Sequence, residues 1–107
     1  MHVANVTVNK DWVNLEDLIS EVKGEAFTFN GDSNYYLVNC GGLPVLFLNT
    51  AEKPEDTITK GLEVESKEQC GLKLTSGKVF ARCLQGSTDL HVEVEGELWK
   101  RQKLQNS

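Results

Sequence analysis

The residues of this 107-residue chain that could carry nucleophilic or metal chemistry are two histidines, His2 and His91, and three cysteines, Cys40, Cys70 and Cys83. A nucleophile needs a base within hydrogen-bond reach. His2 lies at a chain end expected to be mobile, and His91 occupies the outward phase of LHVEVE. Arg82 stands next to Cys83 and could lower its thiol pKa, but adjacent strand residues point to opposite faces, which disfavours the pairing. The cysteines show no CxxC spacing and have few histidines to complete a metal shell. They read as three small buried thiols in a reducing compartment, with one disulfide plus a spare thiol as the alternative.

Carboxylates pair at Glu63/Glu65 and Glu93/Glu95, a spacing of two that puts both acids on one strand face. A glycosidase or an oxygen-ligand cation site could use such pairs. The solvated side of an amphipathic strand explains them more simply. The acids of EKPEDT lack the regular ligand spacing of a calcium loop, and Gly41-Gly42 is followed by neither Lys-Ser/Thr nor a helix, as a phosphate loop requires. The expectation is therefore a chain that is not an enzyme, with no catalytic residue, no cofactor and no metal ligand. Candidates for partner contact are Trp12, Tyr35 and Trp99, together with Lys100, Arg101 and Lys103. Tryptophan is enriched at protein contacts, although Trp12 also suits a hydrophobic anchor for a neighbouring helix. Tyr35 and Asn39, on one strand face, or Trp12 would serve a sugar-binding surface.

The elements that must position these residues follow from hydrophobic period. In DWVNLEDLISEVKG, Leu15, Leu18, Ile19 and Val22 recur at helical spacing, with Asn14 as N-cap, Glu16 and Asp17 at the positive end of the dipole, and Gly24 as C-cap. VANVTV before it fits a short edge strand or an extended arm. From residue 25 the period changes to two. GEAFTFNG places Phe27 and Phe29 together before an Asn30-Gly31 turn signal. YYLVNC and LPVLFLNT read as a central hairpin reversed by Gly41-Gly42, with both strands lining the core. A polar loop containing Pro54 follows, then LEVES with Leu62 and Val64 inward. CGLKL alternates Cys70, Leu72 and Leu74, Ser76-Gly77 turns into KVFARCL, and LHVEVEG turns Leu90, Val92 and Val94 inward.

Seven or eight short strands at about ten-residue spacing predict an all-β fold: an antiparallel β-sandwich or small jelly-roll-like barrel with one short N-terminal helix. The expected organisation is an N-terminal arm over 1–12, a sandwich domain over 13–97 and a basic tail over 98–107. Apolar content of 39% and charged content of 25% suit a globular chain. No apolar run approaches the ~20 residues of a membrane span, and the first residues show no secretory leader, so no membrane partner is expected. The net charge is −5, with all 16 acids before residue 98 and Lys100, Arg101 and Lys103 crowded into the tail. An acidic body argues against nucleic acid, which needs a cationic stripe.

The order of KDWVNLEDLI, GEAFTFNG, YYLVNCGGLPVLF, a proline loop, GLEVES, SGKVFARC and STDLHVEV resembles small virion proteins of tailed bacteriophages, the group of capsid decoration (cement) and head-fibre or tail accessory proteins. The matching elements are Trp12, Tyr36 to Gly41, Pro54, Gly61-Leu62, Gly77 to Arg82 and Leu90 to Val92, within residues 11–95. The resemblance implies a noncatalytic β-sandwich on the capsid surface, bound to capsid or other virion proteins, forming a homo-oligomer and located in the virion after assembly in the host cytoplasm. A tail or fibre adaptor and a carbohydrate-binding β-sandwich module are the alternatives. The three cysteines and the basic tail depart from the family pattern.

Overall fold

Period-two stretches become strands, and their pairing fixes the architecture. In the computed structural model, which describes residues 2–30, 33–72 and 77–95, the elements are β1 (His2–Val8), β2 (Val13–Asn14), α1 (Leu15–Lys23), β3 (Tyr35–Asn39), β4 (Val45–Thr50), β5 (Leu62–Val64), β6 (Gln69–Leu72), β7 (Lys78–Arg82) and β8 (Thr88–Val94). They form sheet A, in the order β1-β8-β3-β6, and sheet B, in the order β2-β7-β4-β5. β1 pairs with β8, β2 with β7, β3 with β6 and β4 with β5, all antiparallel. The chain is thus one long hairpin, tip at β4–β5, rolled until β3 meets β8 and β4 meets β7. This is the strand order of a jelly roll, a two-sheet all-β sandwich.

Alternation supplies the core. Val6, Val8, Leu37, Leu90 and Val92 of sheet A meet Val45, Phe47, Val79 and Ala81 of sheet B. Burying each larger aliphatic side chain stabilises the fold by about 1.5–3 kcal/mol before entropy is counted. α1 packs on β1, β2 and β7 and so closes the open side between the two sheets. Its caps are those the sequence predicts: Asn14 Oδ1 accepts from Glu16 N at 2.9 Å, and Gly24 takes φ 73°. A nine-residue helix is unstable alone. The full burial of Leu15 and Ile19 holds it, whereas Val22, expected on the same stripe, is exposed.

Several expectations change in the structure. Residues 2–8 take the edge-strand reading and not the arm: they form β1 at the edge of sheet A, with Ala4, Val6 and Val8 buried, so the sandwich starts before residue 13. Tyr35–Asn39 and Val45–Thr50 are not a hairpin. They belong to different sheets, and Gly41-Gly42 is the corner at which the chain changes sheet. The apolar content of both strands reflects a shared core, which alternation reports without naming the partner strand. Phe27 and Phe29 lie outside any ladder, because side chains take their backbone donors: Ser20 Oγ accepts from Phe27 N, and Glu16 Oε2 accepts from Phe29 N, each at 2.8 Å. Leu62 is exposed at the edge of sheet B, while Val64 points inward as expected.

The corner is held by Asn39, whose side chain is fully buried. Its Nδ2 donates to Leu43 O (2.7 Å) and Val64 O (3.0 Å), and its Oδ1 accepts from Gly41 N (3.2 Å) and from the Thr88 hydroxyl (2.6 Å). One carboxamide thereby ties β3, the corner and the ends of β5 and β8, with every side-chain donor and acceptor used. Gly41 must lack a side chain for the same reason, since a Cβ there would land on Thr88 Oγ1.

Candidate functional site

The two outer faces of the sandwich differ. On sheet B, Trp12, Leu46 and Phe80 form a second buried cluster with Leu48 against it. The β4–β5 connection lies over them: Trp12 Nε1 donates to Ile58 O at 3.1 Å. Arg82 fastens that cover. Its Nε donates to Lys10 O, its Nη1 donates to Asp56 O and Ile58 O at 2.8 and 3.0 Å, and its guanidinium lies 5.3 Å from the Trp12 ring centroid. Carbonyl oxygens and an aromatic face thus satisfy a nearly buried cation.

Among the described residues, no connection lies over the outer face of sheet A. Register builds it as two rows across three strands. In one, Tyr36 of β3 stands between Glu93 of β8 and Gly71 of β6; in the other, Val38 stands between His91 and Gln69. Rows are spaced about 7 Å along the strands and neighbours about 4.8 Å across them. Tyr36, Val38, Gln69, His91 and Glu93 line an open groove of about 390 Å³ with Val94 and Glu95 at its end. Tyr36, Val38 and His91 are half-buried, Gln69 exposed. At Gly71 an added Cβ would meet only Tyr36 Cε1, at 3.9 Å, so the missing side chain leaves a depression beside the tyrosine ring.

On the β1 side the groove is bounded by a polar network. His91 Nε2 lies 2.5 Å from Glu93 Oε1, and Asn5 Oδ1 lies 2.8 Å from His91 Nδ1 and 3.2 Å from His2 Nε2. The two imidazoles stack at 4.6 Å. The hydrogen bond from His91 holds the Glu93 carboxyl below the usual carboxylate range. His2, expected to be mobile, is therefore placed on this face. At the edge of sheet B, Glu65 is pushed up by its hydrogen bond and like charge with Glu63, as expected of two acids on one strand face.

Of the residues expected at a partner surface, Trp12 is 1% exposed and Tyr35 5%. Trp12 anchors the sheet B cover, and Tyr35 faces the core with its hydroxyl accepting from Asn30 N at 2.8 Å. Neither presents an exposed ring to a partner or a sugar, and Asn39 is likewise interior. Trp99, Lys100, Arg101 and Lys103 lie outside the described residues. Cys83 is buried and Cys70 half-buried, its thiol pushed up by burial, whereas Cys40 is exposed instead of buried. All three thiols are free. Arg82 and Cys83 do point to opposite faces, the arginine into the outer cluster and the cysteine into the core.

Sequence reasoning missed Tyr36, Val38, Gln69 and Gly71 as a set, because they come from strands 30 residues apart and only register unites them. Among the described residues, no three His, Cys, Asp or Glu side chains converge as a metal site, and no helix is long and apolar enough to cross a membrane. Comparison with protein-family models, characterised proteins and solved structures finds no match.

Proposed function

We propose that this chain is a noncatalytic binding protein that works through the outer face of sheet A. The carrying observation is the asymmetry of the sandwich: sheet B carries its own β4–β5 connection, tied down over Trp12, whereas no described segment is tied over the aromatic, apolar and hydrogen-bonding groove of sheet A. His91, the histidine on that face, is engaged with Glu93 and Asn5, and no cysteine or serine nucleophile is hydrogen-bonded to it among the described residues. A binding role suits that chemistry better than general base catalysis.

At the finer level, the protein is a structural component of a tailed-phage virion, a decoration protein that sits on the capsid as a homo-oligomer and stabilises the head. The order of motifs from Trp12 to Val92 supports this reading, and jelly rolls recur among viral capsid domains. Fold analogy sets a class only. The tail, with Trp99, Lys100, Arg101 and Lys103, would supply a second attachment point to an acidic neighbour. The test is mass spectrometry and cryo-electron microscopy of purified particles. Detection on the shell at a fixed stoichiometry supports the reading, density on the tail moves it to an adaptor, and absence from particles overturns it.

A further inference from the structure

We infer that the groove on the outer face of sheet A is a binding site for an uncharged saccharide. The inference rests on the reading of that face as the working surface, and it names the ligand chemistry.

A sugar ring has an apolar C–H face and a polar rim, so its site needs an aromatic or aliphatic floor with hydrogen-bonding groups around it. The register provides both. Tyr36 and Val38 are successive outward residues of β3 and form the floor. Glu93 and His91 of β8 stand on one side, and Gln69 of β6 on the other, so carboxylate, imidazole and carboxamide border a tile about two strand spacings wide. Gly71, paired with Tyr36 on the β6 side, leaves the flank of the tyrosine ring clear. Glycine weakens a strand, and where one persists in a ladder it often marks close approach of a ligand or another backbone. Any larger side chain at 71 would rise beside the Tyr36 ring and fill the space from which a sugar could reach it. The backbone does not demand glycine there: Gly71 is absent from the positive-φ positions, and its Cβ direction is open. The groove volume of about 390 Å³ falls within the ~300–1,000 Å³ of small-molecule sites.

Charge decides the class of sugar. The carboxylate beside Tyr36, Glu93, has His91 within 2.5 Å, and Glu95 at the groove end accepts from Asn34 Nδ2 at 2.6 Å. Both acids are engaged by donors of the protein itself. Among the described residues the rim sets two carboxylates, Glu93 and Glu95, against one imidazole, so it offers hydrogen-bonding partners to hydroxyl groups without excess positive charge, and charge complementarity favours an uncharged polyol over a carboxylated or sulfated one.

The test uses the intact chain, labelled with ¹⁵N and titrated with glucose, galactose, mannose, N-acetylglucosamine, lactose, maltose and cellobiose, with glucuronate as a charged comparator. Expected is saturable movement of the amides of Tyr36, Val38, Gln69, Gly71 and His91 with at least one neutral sugar, and weaker binding of glucuronate. Tyr36→Ala is expected to weaken binding about tenfold. Gly71→Val, which suits a strand and meets nothing closer than 3.9 Å at its Cβ, should fold normally by thermal melting and lose binding. No movement with any of these sugars, tighter binding of glucuronate than of glucose, or undiminished binding by folded Gly71→Val each overturns the inference. The outcome separates from that of the virion reading: a particle-bound chain indifferent to sugars sinks the saccharide site alone. A sugar-binding chain absent from particles sinks the virion assignment alone.

Discussion

Replacing Asn39 by leucine, which keeps the volume and removes the carboxamide, tests whether the corner between the sheets depends on hydrogen bonding. Four partners lose their bond at once: the carbonyls of Leu43 and Val64, the amide of Gly41 and the hydroxyl of Thr88. An interior polar group left without a partner costs about 1–3 kcal/mol. Some of the four lie near the surface and regain water, which brings the expected loss to ~4 kcal/mol. That is a large part of the roughly 5–15 kcal/mol that stabilises a domain of this size. In a urea melt with a slope of about 1–2 kcal/mol per molar, the midpoint falls by roughly 2–4 M. A double-mutant cycle with Thr88→Val isolates the hydroxyl bond, with an expected coupling of ~1 kcal/mol. A loss below ~1 kcal/mol for Asn39→Leu, with an unchanged slope, would refute the argument that this side chain stitches the strands.

Arg82→Lys keeps a charge but loses the fork that reaches three carbonyls; a loss of about 2–3 kcal/mol and faster proteolysis within 51–61 are expected, read by melting and limited digestion. Gly41→Ala forces a Cβ onto Thr88 Oγ1 and is expected to destabilise by about 2–4 kcal/mol, with Thr88→Ala restoring only the part due to that clash, as the Thr88 and Asp89 backbones are also close. Thiol labelling of the native protein at neutral pH should be fast at Cys40, slow at Cys70, whose raised pKa and partial burial reduce the thiolate, and absent at Cys83 until unfolding. Because His91 depresses the Glu93 pKa, this group adds stability above its unfolded value of about 4.3, and the gain is lost as pH falls through the lower folded value. The melting curves of wild type and Glu93→Gln should therefore differ at pH 6 and converge as the pH falls below the lowered folded value.

The fold was readable because alternation, caps and turn residues are local signals. α1 was legible from the Asn14 and Gly24 caps around Leu15 and Ile19, and β8 from Leu90 and Val92 against His91 and Glu93. Strand partners were not readable. Gly41-Gly42 permits a reversal, and a hairpin turn and a sheet-to-sheet corner make the same local demand on the backbone. Trp12 and Tyr35 were misplaced for a related reason. Trp12 lies outside the alternating runs, so nothing local reveals that the β4–β5 connection covers it, and the phase of YYLVN alone does not tell which side of β3 faces the core. The candidate face shares that limit, since its residues meet only through the pairing of β3 with β6 and β8.

The pairing of β1 with β8 has a consequence for biosynthesis. A ribosome releases His2–Val8 long before Thr88–Val94, and β8 lies between β1 and β3 in its sheet. Among the described strands, β1 finds its sheet partner, and β3 its second, only once Thr88–Val94 emerges, so sheet A is completed late, through contacts of high sequence separation that slow folding. During that delay β1 and one edge of β3 wait for β8, which makes chaperone demand and low-temperature expression the practical variables for producing this protein.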